Sequence, residues 1–225
     1  MPFWPALRQH RDAMLTPVPL RVNEVVLARN GRRLNRALSF TLAAGEAMHV
    51  QGRNGSGKTT LLDTLATLAS PASGSVFWQG RAASAWGDEV RALWHYCGHV
   101  DALKGEWTLL ENLRWQARLL GQTLDASRLE AALQDMALTA LVAVSVAQFS
   151  KGQQRRAALL RLRLFERPVW LLDEPFSALD QEGALALVAW INQHLDQGGM
   201  ALFTTHQAYP PLARAPTALL LAGGR

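Results

Sequence analysis

The chain has 225 residues, 49% of them hydrophobic, enough for one domain with a full core and an inserted subdomain. No run approaches the ~18 apolar residues that a membrane span needs, and the lone cysteine, Cys97, excludes an internal disulfide and fits a reducing cytosol. The net charge is +5, but the arginines are spread along the chain, which favours a solvated surface over a membrane-facing or nucleic-acid-binding one.

Residues 1–20 hold Pro2, Pro5, Pro17 and Pro19 and lack the apolar centre of a signal peptide, so a poorly ordered extension is expected. Met14 is a candidate true start, with the residues before it an artefact of the gene's assignment. Residues 20–27 and 38–42 read as the strands of an antiparallel hairpin around the Asn30-Gly31 turn signal. Residues 47–50 read as a short strand, 60–68 as a helix, 75–80 as a strand ending in a glycine turn, and 94–97 as another strand. The period then changes. Thr108 and Glu111 form a T-x-x-E capping box before a helix carrying Leu109, Leu113 and Leu120. A second helix starts near Asp125 or Ser127 and repeats Leu129, Leu133 and Met136. Met136 and Trp115 are expected to be packing residues. Residues 150–166 read as a helix stopped by Pro168. Val169 to Leu172 is a continuous apolar run, as in a strand buried on both faces of a parallel sheet. A helix over 184–195 and strands over 200–204 and 218–221 complete the chain.

Between the strand at 47–50 and the helix that follows lies Gly52-Arg53-Asn54-Gly55-Ser56-Gly57-Lys58-Thr59, which fits the phosphate-loop pattern G-x-x-x-x-G-K-[ST]. Its glycines let backbone N–H groups approach phosphate oxygens, Lys58 supplies a point charge, and the Thr59 hydroxyl can ligate Mg²⁺. Thr60 continues into a helix whose N-terminus faces the same anion. Asp173 and Glu174 end the buried strand. Asp173 is placed to hold Mg²⁺, and Glu174, one residue on, to polarise an attacking water. Ser150 and Gly152 open a helix, where hydroxyl and N–H groups can meet an anion, although Ser150 read alone is an ordinary N-cap. His206 follows a strand end and is a candidate γ-phosphate contact.

The order of GRNGSGKT at 52–59, FSKGQ at 149–153, LLDEP at 171–175, SALD at 177–180 and TTH at 204–206 resembles the ATP-binding cassette ATPases over about residues 21–221. The resemblance implies an α/β P-loop NTPase with a RecA-like core, an antiparallel β subdomain and an inserted helical subdomain at about 99–150. All of it lies in one nucleotide-binding domain at 21–225. ATP and Mg²⁺ are the implied ligands, Mg²⁺ held by Thr59 and Asp173. Two copies would pack head to tail as a homodimer, with ATP between residues 52–60 (Gly52, Arg53, Asn54, Gly55, Ser56, Gly57, Lys58, Thr59, Thr60) of one and Ser150, Gly152 and Gln153 of the other. Glu174 would be the general base, His206 the γ-phosphate switch, and Asp180 the link between the two sites.

A narrower resemblance, to the ATPase subunits of the cytochrome c maturation and haem-export system, rests on Tyr96-Cys97-Gly98-His99, Thr108-Leu109-Leu110-Glu111-Asn112-Leu113 and Phe149-Ser150-Lys151-Gly152-Gln153-Gln154-Arg155-Arg156-Ala157. It implies membrane subunits resembling CcmB, CcmC and CcmD, the haem chaperone CcmE, and a place on the cytoplasmic face of the bacterial inner membrane. Direct haem ligation by Cys97 and His99 is not expected, because no C-x-x-C-H motif exists. Departures from the family pattern are His99 for the usual Gln, Lys151 for a glycine, Phe149 for a leucine, and no aromatic residue between Val22 and Leu34 to stack on adenine, where Arg29 is the substitute. The ATPase of another small-substrate transporter, a soluble cassette protein acting on nucleic acid or ribosomes, and a non-hydrolysing regulator remain as alternatives.

Overall fold

The computed structural model describes residues 19–78, 80–86 and 93–222. The expected N-terminal extension therefore lies almost wholly outside the described residues, and Leu20, fully buried, opens the first strand. Strand β1 (Leu20–Val26) pairs antiparallel with β4 (Leu38–Leu42) and with β6 (Ser73–Trp78), which pairs with β7 (Arg81–Ala82). This four-stranded sheet has the order β4-β1-β6-β7. The Asn30-Gly31 turn closes a separate two-residue ladder, β2 (Ala28–Arg29) with β3 (Arg32–Arg33), inside the connection expected to be a plain turn.

The second sheet is parallel: β5 (Ala47–Gln51), β8 (Trp94–Cys97), β9 (Val169–Leu172), β10 (Met200–Thr204) and β11 (Thr217–Leu220), in the order β11-β5-β10-β9-β8. Every residue of β9 and β10 is buried, as a continuous apolar run demands of a central parallel strand. Alternate residues serve two cores. Val169 and Leu171 pack with Leu61, Leu62 and Leu65 of helix α1 (Lys58–Leu65) and with β1. Trp170 and Leu172 pack with helices α4 (Lys151–Leu164) and α5 (Gln181–Asp196). Helix α1 ends three residues before the expected Leu68, where Thr67 takes a positive φ of 58°.

Helices α2 (Leu109–Leu119) and α3 (Ala126–Asp135) are inserted between β8 and α4. The expected capping box of α2 is present: Thr108 Oγ1 accepts from Glu111 N–H, and the Glu111 carboxylate accepts from Thr108 N–H. Those bonds hold the Glu111 carboxyl below the usual range. Thr108→Ala is expected to cost about 1 kcal/mol of stability, read as a lower urea midpoint. Asp125 caps α3. Met136 is fully buried, as expected of a packing residue. Trp115 is instead 42% exposed, set edge-on to Trp107 at 5.7 Å. The burial of Leu109 and Leu113 turns that part of α2 outward. No helix among the described residues is long and apolar enough to cross a membrane.

Candidate functional site

In a parallel sheet all strands deliver their C-terminal ends to one edge. Here β5 leads into the phosphate loop, β10 into Thr205 and His206, β9 into Asp173 and Glu174, and β8 into Gly98 and His99. These four strands are adjacent, and Val50 pairs with Thr204, Phe203 with Leu172, and Cys97 with Leu172. Residues more than a hundred positions apart in sequence thus meet in one row of loops.

The phosphate loop is tightly specified. A Cβ on Gly52, at φ 154°, would fall 2.5 Å from Ser56 Oγ and 2.9 Å from the Leu221 carbonyl. Gly57, at φ 99°, packs against Leu34. Gly57 is also the N-cap of α1 and offers no side chain to cap it, whereas α2, α3, α4 and α5 are each capped by a side chain. The first N–H groups of α1 are therefore left for an anion. Lys58 is buried, and its Nζ donates to the carbonyls of Gly52 at 2.9 Å and Arg53 at 3.3 Å, curled over the loop it serves. Ser56 Oγ is buried without a partner among the described residues. Thr60 is buried, while Arg53, Asn54, Gly55 and Thr59 are exposed.

Asp173 is 4% exposed, and both its carboxylate oxygens accept hydroxyls: Oδ2 from Thr59 at 2.8 Å and Oδ1 from Thr204 at 2.7 Å. Thr204 Oγ1 in turn accepts from Glu174 N–H at 2.9 Å. Glu174 sits at φ 49°, a left-handed conformation that non-glycine residues rarely adopt, and this swings its side chain out of the strand line. Its Oε2 accepts from His206 N–H at 3.1 Å, and its Oε1 lies 3.6 Å from His206 Nε2. The His206 turn is braced from behind, where Tyr209 stacks on Phe176 at 4.9 Å and meets Phe203 and His49 edge-on.

Ser150 is the N-cap of α4, as its residue type alone suggests: Oγ accepts from Gln153 N–H, and Gln153 Oε1 accepts from Ser150 N–H. Its hydroxyl proton remains available to a further acceptor. A Cβ on Gly152 would lie 2.9 Å from the Ala178 carbonyl, so the turn after Glu174 packs directly on this helix start. Asp180 caps α5 and lies 3.8 Å from Arg156. Among the described residues no direct hydrogen bond joins Ser150, Gly152, Gln153 or Asp180 to the phosphate loop. His99 is exposed and lines a cavity of about 300 Å³ with Asp101, Lys151 and Gln154. Cys97 is buried, and burial pushes its thiol pKa up.

Four residues with no role assigned from the sequence prove to be structural: Thr204, Arg155, Asp101 and Asn112. Buried Asn112 accepts from Lys104 N–H and donates to the carbonyls of Lys104 and Thr108, pinning the loop before α2. Its adjacency to the capping box was the available signal.

Comparison with known proteins places this geometry. The family described as ABC transporter matches residues 35–177. The chain belongs to the ABC transporter family. Two curated relatives are each named cytochrome c biogenesis ATP-binding export protein CcmA. The one from Salmonella typhi is 42% identical over 205 residues, covering 91% of this chain and 98% of its own length. The one from Dechloromonas aromatica is 42% identical over 188 residues, covering 84% and 92%. A solved ABC transporter ATP-binding protein from Pyrococcus furiosus superposes with a TM-score of 0.78 at 20% identity, covering 91% of this chain and 98% of that one, a likeness of fold.

An ABC cassette hydrolyses ATP with Mg²⁺. The residues present fit both ligands. The uncapped α1 start, Lys58 and the orphaned Ser56 hydroxyl suit phosphates, and the buried carboxylate of Asp173 beside the Thr59 hydroxyl suits a hard, oxygen-seeking cation.

Proposed function

We propose that this chain is the ATP-hydrolysing subunit of a membrane complex for c-type cytochrome biogenesis, a haem-transporting ATPase that drives haem export or release of a haem-loaded chaperone. The observation that carries this reading is the full-length likeness to proteins named for cytochrome c biogenesis export, 98% of one relative's length. The chemistry rests on the row of strand ends where hydrogen bonds link Asp173, Glu174 and His206, with Thr59, next to Lys58 at the start of α1, bonded to Asp173.

In this reading the backbone of residues 52–60 and Lys58 would hold the phosphates, and Thr59 and Asp173 would hold Mg²⁺, which would neutralise phosphate charge. Glu174 accepts the proton of the attacking water. His206, already against Glu174, contacts the γ-phosphate, and His99 contributes a hydrogen bond from the β8 loop. Ser150, Gly152, Gln153 and Asp180 serve the second copy of a head-to-tail homodimer. The lack of any hydrogen bond between this group and the phosphate loop among the described residues and the spare Ser150 hydroxyl proton support that arrangement. The cassette spans residues 21–225 with its helical subdomain at about 99–150. It sits at the cytoplasmic face of the inner membrane against subunits resembling CcmB, CcmC and CcmD, with CcmE as the chaperone.

The test is covalent haem in periplasmic c-type cytochromes after deletion of the gene. Haem staining is expected to vanish, to return with the wild-type gene, and to stay absent with Lys58→Ala or Glu174→Gln. Staining that survives deletion overturns the cytochrome assignment.

A further inference from the structure

Arg155 projects from the second turn of α4 and is 5% exposed. Its Nη1 donates to the Gly98 carbonyl at 3.0 Å and to Asp101 Oδ1 at 2.9 Å. Its Nη2 donates to the carbonyls of Asp173 at 2.8 Å and Glu174 at 2.9 Å. One planar fork therefore joins three segments that are far apart in sequence: the His99 loop, the acidic pair, and the helix that starts at Ser150. Only a guanidinium offers paired donors in a plane at this reach.

What it holds is under tension. Glu174, with φ 49°, and Ala102, next to Asp101, with φ 51°, both occupy the left-handed region. Such conformations persist where surrounding contacts over-determine them. The Cys97 carbonyl accepts from Asp173 N–H at 2.8 Å, so the two loops already run side by side, and Arg155 closes the far end of the same seam. Asp101 is the single side-chain acceptor in the set, with 23% of its side chain exposed, and it shares the cavity with His99.

We propose that Arg155 is a positioning residue for hydrolysis: it fixes the Glu174 turn and the His99 loop in one frame, so that a displacement of either is felt at the other. The proposal rests on Glu174 being the proton acceptor. Arg155 makes no hydrogen bond to the phosphate loop or to Lys58 and reaches Asp173 only through its backbone carbonyl, so ATP affinity is expected to change little when it is replaced.

The test uses the full chain with Arg155→Lys, Asp101→Asn and the double variant. Turnover and KM are measured together with equilibrium affinity for a fluorescent ATP analogue. Lysine keeps the charge and stem but cannot span four acceptors, and Asp101→Asn leaves the three carbonyl bonds in place, so both variants are chosen to fold. Arg155→Lys is expected to lower kcat by roughly 10²-fold, the scale of a small misplacement of a catalytic group, with KM and ATP affinity within about twofold. Asp101→Asn is expected to lower kcat less. The double variant is expected to be no slower than Arg155→Lys, because both changes break one linkage. Unchanged kcat in Arg155→Lys overturns the proposal, as does a loss of ATP affinity in step with kcat, which marks a merely structural role. Glu174→Gln, measured beside them, separates the two readings. If Glu174→Gln turns over at the wild-type rate, the assignment of Glu174 fails. If it is inactive while Arg155→Lys is not, the role given to Arg155 fails alone.

Discussion

Glu174→Gln is expected to lower ATP turnover by roughly 10²–10⁴-fold, the range that a positioned general base contributes. The carboxamide cannot take a proton from water. It does keep an oxygen to accept from His206 N–H, so the turn that holds residue 174 at φ 49° has no reason to move. The nucleotide contacts proposed above lie elsewhere, on the uncapped start of α1 and on Lys58. ATP affinity is therefore expected to stay within about twofold, since no phosphate contact is removed. Phosphate release and equilibrium binding, measured on one preparation, check both halves. A variant with intact turnover removes Glu174 from the mechanism. A variant that loses binding and turnover together shows that the carboxylate shapes the site rather than acting in it.

How much of this was legible beforehand follows from the range of the interactions. Val169 to Leu172 was read to the residue, because a strand buried on both faces must be apolar throughout. The cap at Thr108 is legible because a cap is a contact across three residues, whereas the start of α3 stays open between Asp125 and Ser127 until the structure sets Asp125 as its cap. Helix α5 was placed three residues late, because its first turn, Gln181-Glu182-Gly183, carries no apolar signal and only Asp180 as N-cap marks it. The phosphate loop and the acidic pair were readable as motifs. The meeting of Thr59 with Asp173 is expected from the Mg²⁺ they are read to share, but the Thr204 hydroxyl that joins Asp173 to Glu174 is not, since it depends on β10 and β9 being neighbours. The role of Arg155 is illegible for a stronger reason. In sequence it is one of the two arginines that follow Gln154 in the run that opens this helix, and only the fold shows that its side chain turns inward to four acceptors on two other loops.

Mild acid is expected to destabilise the protein through its buried histidines before the capping carboxylates of Glu111 and Asp125 respond. His194 lies face to face with Trp170 at 4.0 Å, and its Nε2 sits 3.2 Å from the Met200 carbonyl. Burial lowers its pKa from 6.5 to about 4. His95 is fully enclosed, with Nε2 against the Phe165 carbonyl, and burial first and Arg161 second push its pKa well below 6.5. Both rings are neutral in the folded chain and take up protons once it unfolds. The contribution of each is complete above about pH 6.5 and drains as pH falls, for His194 down to about 4, because the unfolded chain then binds the extra protons. For His194 alone the loss is about 3 kcal/mol across that window. The carboxyls with lowered pKa values, Asp125 and Glu111, act below it, since their stabilisation fades only as pH falls past their unfolded values near 4. His194→Phe keeps an aromatic plane on Trp170 and removes the titration. Urea midpoints at pH 8, 6 and 4.5 are expected to fall steeply for the wild type and more shallowly for the variant. Parallel curves would mean that His194 is protonated without cost in the folded state, which its packing between Trp170 and the Gly199 backbone argues against.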